Sequence, residues 1–155
     1  MIIYSLIAVA LIVIDQLVKA WVVANIPLNG TQDLIPHVIS LTHIQNTGAA
    51  YSILEGKQWF FYIVTIIALG VVVALWKDSQ KSWLYRLGLV LIFAGTIGNF
   101  IDRVRFQSVT DMFQLDFINF AIFNVADMAL TFGVLFVLVY VLLLDGKGGH
   151  SRTSR

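Results

Sequence analysis

The sequence predicts an all-α integral membrane protein of four transmembrane helices, with short strands in its longest connection. Two observations carry that prediction. Of 155 residues, 59% are hydrophobic and 12% charged, with a mean hydropathy of +0.85, where an ordinary soluble domain has roughly 45–50% and 25%. Four apolar stretches, each near the roughly 20 residues that cross a bilayer, nearly exhaust the chain. A single domain over residues 1–155 is therefore expected.

The first span runs from about Ile2 to Ala24, uncharged through Ile14 and then carrying Asp15 and Lys19. No basic residue precedes it and no convincing small-x-small cleavage site follows, so it reads as a retained helix and not as a signal peptide. Residues 25 to 57 form a long connection with Pro27, Asn29-Gly30 and Pro36, followed by alternating apolar and polar residues from His37 to Ile44. That period of two, between turn signals, predicts short strands. The second span covers about Trp59 to Trp76 and ends at Lys77-Asp78; the third covers about Leu84 to Ile101 and ends at Asp102-Arg103. Residues 104 to 126, rich in Phe and Asp, read as an interfacial helix or strand, and the fourth span follows from about Val125 to Leu144. The glycine-rich basic tail, Gly146 to Arg155, is expected to be disordered.

Charge sets the orientation. Lys77, Lys81, Arg86, Lys147, Arg152 and Arg155 fall on one side of the predicted membrane, and Lys19, Lys57, Arg103 and Arg105 on the other. The positive-inside bias makes the richer side cytoplasmic, with both termini there. Net charge is only +1 and the basic residues are scattered, so nucleic acid is excluded as a partner. The absence of cysteine excludes disulfides, thiol nucleophiles and Cys-based metal sites.

In this arrangement the polar residues converge toward the outer face. Asp15 and Lys19 stand at i, i+4 and can pair, which eases the burial of either charge; they read equally as a packing device or as a contact for a substrate headgroup. Gly95, Asn99 and Asp102, at i, i+4 and i+7, make a small polar face suited to a neighbouring helix. Asp102, next to Arg103, reads more readily as an interfacial salt-bridge partner than as a proton-transfer group. Asn124-x-x-Asp127 fits a helix cap followed by an acidic first-turn residue, and Asp111 fits a turn. His37 and His43 read as interfacial side chains, and no metal site is expected.

The remaining acid-base resources are carboxylates, because no Ser/His triad, HExxH or glycine-rich phosphate loop is present. Asp111 and Asp127 lie at the same predicted depth. Two carboxylates at contact distance share one proton, so one can act as base and the other as acid on a water and a peptide carbonyl. No cofactor is needed. A small transporter is the competing reading, since intramembrane acids often mark ion paths. Clustering of the acids at one depth counts against it.

Five sequence boxes, in order, resemble lipoprotein signal peptidase, also called signal peptidase II. They are Asp15-Gln16-x-x-Lys19, Asn46-Thr47-Gly48-Ala49-Ala50-Tyr51, Gly95-x-x-Gly98-Asn99-x-x-Asp102-Arg103, Val109-Thr110-Asp111 and Phe123-Asn124-Val125-Ala126-Asp127. Tyr51 and Met112 stand where that family more often has other bulky residues. The resemblance implies an aspartic endopeptidase with Asp111 and Asp127 as catalytic dyad. Asn46, Gly48, Asn99, Asp102, Arg103, Asn124 and Ala126 would bind substrate or shape the site, and Asp15 and Lys19 would support it. It implies a small extracytoplasmic β-rich cradle formed by the 25 to 57 loop. It also implies a diacylglyceryl-modified bacterial prolipoprotein as substrate, cut just before the lipidated cysteine, with globomycin-like cyclic peptides as inhibitors. The expected setting is the bacterial cytoplasmic membrane, among its lipids, as a monomer with the active site toward the extracytoplasmic face.

Overall fold

The structure is a computed structural model, and it describes residues 2–48, 54–77 and 82–144. Ala49 to Tyr51, Asp78, Lys81 and the tail from Asp145 lie outside the described residues. In chain order the elements are α1 (Ile2–Asn25), β1 (Thr31–Ile35), β2 (Ile39–Asn46), α2 (Gln58–Trp76), α3 (Trp83–Phe106), β3 (Val109–Leu115) and α4 (Val125–Val139). A π-helical turn, Tyr140–Leu144, continues α4. Among the described residues, four helices are long and apolar enough to cross a membrane.

The central helix is α3. Every other helix packs on it, and it carries more buried positions than any other helix, including Leu89, Ala94, Gly95, Asn99 and Asp102. Glycines permit its closest approach: a side chain at Gly88 would meet the α4 backbone at Gly133, and one at Gly133 would meet that of Gly88. Without a hydrophobic driving force between helices in lipid, such small-residue contacts supply the packing. The outward faces of α1, α2 and α4 remain apolar and exposed, with Ile2, Ile66 and Leu142 each above 60%. Those surfaces suit acyl chains and not water.

Capping explains where two helices begin. Ser82 accepts the Tyr85 amide at the start of α3. Asn124 and Asp127 form a reciprocal capping box at the start of α4. The third helix runs five residues beyond the sequence expectation, so Asp102 and Arg103 sit within its last turns and do not follow its end. It stops at Gln107, whose backbone is left-handed at φ 57°.

The three strands form one antiparallel sheet in the order β1-β2-β3. The alternation read in the first long connection is that of β2, but His37 lies in the β1–β2 turn with a left-handed backbone and not in a strand. The segment after α3 is a strand and not an interfacial helix. A bulge falls in β2 between Leu41 and Ile44, opposite Met112. Bulges re-aim side chains beside functional sites, and here Asn46 follows directly. The sheet adjoins the C-terminal ends of α1 and α3 and the start of α4; Lys77 and Arg86 mark the opposite end of the bundle.

Candidate active site

Asp111 stands in the middle of β3 and Asp127 in the first turn of α4. Both line a cavity of about 630 Å³ together with Asn46, Gly48, Asn99 and Arg103, and its apolar wall includes Phe120 and Leu130. Polar and apolar linings of this size suit a ligand that is part peptide and part hydrocarbon.

A closed set of amides fixes the two carboxylates. The Gly48 amide donates to Asn46 Oδ1 at 2.9 Å, which turns Asn46 Nδ2 toward Asp111 Oδ2 at 3.0 Å. Asn124 Nδ2 donates to Asp111 Oδ1 at 2.7 Å and to Asn99 Oδ1 at 3.1 Å. Asn99 Nδ2 donates in turn to Asp127 Oδ1 at 2.7 Å, and the Asn124 backbone amide donates to Asp127 Oδ2 at 3.2 Å. Each carboxylate oxygen therefore accepts one N–H. Burial pushes the Asp111 carboxyl up to about 6, and the neighbouring Asp127 charge adds to the rise against the two amide donors.

Behind this layer lies a buried ion cluster. Lys19 Nζ meets Asp15 Oδ2 at 2.9 Å and Asp102 Oδ2 at 3.1 Å, and donates to Asn99 Oδ1 at 3.1 Å. Asp15 Oδ1 accepts the Ala126 amide at 2.9 Å, and Asp102 Oδ2 accepts the Thr110 amide at 3.1 Å. The cluster thus ties α1 and α3 to the residues next to both aspartates. Gln16 completes it, donating to Asp102 Oδ1 at 2.9 Å.

The sequence-predicted residues divide into two sets. Asp111, Asp127, Asn46, Gly48, Asn99 and Arg103 reach the cavity. Asn124, Asp102, Ala126, Asp15 and Lys19 stand behind it, at 3% exposure or less, so the pair Asp15 and Lys19 offers no contact to a headgroup. Asp102 is a salt-bridge partner, but a buried one, and its cation is Lys19. Arg103 instead donates to the Gly48 carbonyl at 3.3 Å and stacks on the Phe61 ring at 4.4 Å, with its Nε buried without a partner. His43 is also buried and not interfacial: its Nδ1–H donates to the Ile26 carbonyl at the end of α1, at 2.7 Å. Sequence reasoning missed Phe61 as a site residue, because an aromatic inside an apolar span carries no signal of its own. Leu130, one apolar residue within the fourth span, was missed for a similar reason, and Phe120 because it stands among several phenylalanines of the 104–126 connection.

The fold that gathers these carboxylates at one cavity is similar to those of two solved structures, each described as a bacterial membrane enzyme. One has a TM-score of 0.88 at 35% identity, covering 98% of this chain and 93% of the other. The second has a TM-score of 0.84 at 38% identity, covering 90% and 92%. Fold and site thus define a multi-pass membrane enzyme. The family model described as signal peptidase (SPase) II matches residues 7–143, and the chain belongs to that family of peptidases. It is similar to the lipoprotein signal peptidase of Latilactobacillus sakei, 54% identical over 94% of this chain and 97% of the relative. That of Lactiplantibacillus plantarum is 54% identical over 92% and 96%, and that of Enterococcus faecalis 48% over 96% of each.

Proposed function

We propose that this chain is an aspartic endopeptidase that removes signal peptides from diacylglyceryl-modified bacterial prolipoproteins, cutting just before the lipidated cysteine. Membership of the signal peptidase II family supports cleavage of prolipoprotein signal peptides. The observation that carries the aspartic mechanism is the joining of Asp111 and Asp127 through Asn124 and Asn99 at one cavity.

In this reading the dyad holds one proton. The ionised carboxylate takes a proton from water, the water oxygen attacks the scissile carbonyl, and the protonated carboxyl donates to the developing oxyanion. Collapse of the tetrahedral intermediate breaks the C–N bond: the leaving amine takes the proton drawn from water, the hydroxyl formed at the oxyanion returns its proton to the other carboxylate as C=O reforms, and the dyad again holds one proton. Asp111, raised by burial to about 6, can hold a proton near neutral pH. The substrate's acyl chains lie along the apolar wall at Phe120 and Leu130, and Arg103 positions the Gly48 segment across the opening. Globomycin-like cyclic peptides occupy the same cavity.

The proposed setting is the bacterial cytoplasmic membrane, as a single-domain monomer with both termini inside. The basic residues of the 77–86 connection and the tail support that orientation. It puts the sheet and the cavity on the extracytoplasmic side, where the sheet cradles the substrate.

The test is cleavage of a diacylglyceryl-modified prolipoprotein and its unmodified form by wild type, Asp111→Asn and Asp127→Asn. Cutting of the lipidated form alone, lost in both folded variants, is the expected result. Normal turnover by either variant would remove that aspartate from the mechanism.

A further inference from the structure

A second cavity, of about 300 Å³, lies at the end of the bundle far from the aspartates. Its origin is a packing gap: α1 and α2 each pack against α3 but scarcely against each other. The result is a trough with α1 and α2 as walls and Leu89, Val90 and Phe93 of α3 as floor. Val9 and Val73 on its opposite walls are 59% and 66% exposed, so it opens sideways onto the lipid-facing surface. Tyr4 of α1 and Trp76 of α2 meet edge to face at 6.1 Å and line its end.

Water is a poor occupant. An ordered water needs two to four polar partners, and the lining is almost wholly aliphatic and aromatic, with the Ser5 hydroxyl as an exception. A hydrocarbon chain from the adjoining leaflet fits both the lining and the lateral opening. Charge selects among lipids. Lys77 follows Trp76 at the end of α2, and the Arg86 guanidinium of α3 stands 5.9 Å from the Tyr4 ring centroid, so two basic residues adjoin this end of the trough. A basic end over an apolar slot complements a phosphate over an acyl chain.

We propose that this trough is a binding site for an anionic phospholipid, with one acyl chain between α1 and α2 and its headgroup at Lys77 and Arg86. The site is separate from the peptidase cavity and does not depend on the function proposed for it. Its occupant would fill the gap between α1 and α2 and so brace the two outer helices against α3.

The test uses the full chain with Trp76 as the only tryptophan (Trp21→Phe, Trp59→Phe, Trp83→Phe), reconstituted in vesicles of equal phosphatidylglycerol and phosphatidylcholine. Bromine is carried on the acyl chains of one lipid or the other, so the surface charge never changes. Brominated phosphatidylglycerol should quench Trp76 at least twofold more than brominated phosphatidylcholine. High salt should weaken that excess. Val73→Phe, which fills the trough from an exposed position, should erase it, and so should Lys77→Gln with Arg86→Gln. Equal quenching by the two lipids, or an excess that survives Val73→Phe, would overturn the proposal, because either result describes general bilayer contact.

Discussion

Asn124 donates one side-chain N–H to Asn99 Oδ1 at 3.1 Å and the other to Asp111 Oδ1 at 2.7 Å, while its own Oδ1 accepts the Asp127 amide at 2.9 Å. One fully buried residue therefore caps α4 and orients the groups around both carboxylates. The two roles can be separated. Asn124→Ser keeps a good N-cap but removes both amide donors, leaving Asp111 with one partner fewer. The expected outcome is a folded protein whose kcat falls about tenfold to a hundredfold, the equivalent of roughly 1–3 kcal/mol. Asn124→Ala should lose as much activity and additional thermal stability, because the cap goes too. Melting curves beside turnover numbers check this; equal melting temperatures for the Ser and Ala variants would count against the dual role.

Lys19 makes a harder demand on stability. It is 3% exposed and is the cation for both Asp15 and Asp102. Breaking a buried ion pair by removing one partner leaves uncompensated charge, at about 3–5 kcal/mol. Lys19→Met should therefore lower the melting temperature sharply, and adding Asp15→Asn with Asp102→Asn should recover part of the loss. A triple variant no more stable than Lys19→Met would mean that charge is not what the cluster balances.

The pH dependence has a definite sign. Burial raises Asp111 from 3.8 to about 6, so the folded state disfavours its ionised form. Whatever stability its protonated form gives is fully present below pH 4 and lost as pH rises through about 6. The stability of Asp111→Asn relative to wild type should therefore improve between pH 4 and pH 7, by up to about 3 kcal/mol. The constant cost of misplacing an amide against Asn46 and Asn124 does not alter that slope. Denaturation at several pH values measures it, and a difference independent of pH would contradict the burial argument.

For the dyad itself, loss of the shared proton should set the alkaline limb of a bell-shaped rate profile, with an apparent pKa at or above about 6. Apparent values belong to the coupled pair and not to either residue. A flat profile with cleavage shown to be rate-limiting would set the shared-proton mechanism aside.

The four spans were legible because hydropathy over 20 residues is a strong signal, and the Asp15–Lys19 pair because i, i+4 spacing is local. The capping box at Asn124 and Asp127 was legible for the same reason. What escaped was long-range. Nothing in the sequence pairs Lys19 with Asp102, which is 83 positions away, because adjacency to Arg103 is the stronger local cue. The end of α3 was placed short because hydropathy falls at Asp102, whereas the helix continues with that carboxylate buried against Lys19 and Gln16. His43 looked interfacial because its burial comes from the end of α1, an element distant in sequence.

Glycine positions offer a controlled comparison within one fold. At Gly98 an added Cβ would lie 2.8 Å from Asp15 Oδ2 and 3.0 Å from the Ala126 Cβ, both behind the dyad. At Gly70, in the middle of α2, it would meet nothing within 4 Å. Gly70→Ala should therefore leave activity unchanged and raise stability by about 0.5–1 kcal/mol, the ordinary helix preference for Ala. Gly98→Ala carries the same helix gain but must displace Asp15 from the Ala126 amide or push the start of α4 outward. Overpacking of that kind costs about 1–3 kcal/mol, so the net change should be destabilising. Activity should fall further than stability, because moving Ala126 also moves Asp127. If Gly98→Ala instead cleaves as fast as Gly70→Ala, the link from Asp15 through Ala126 to the dyad is not one the reaction uses.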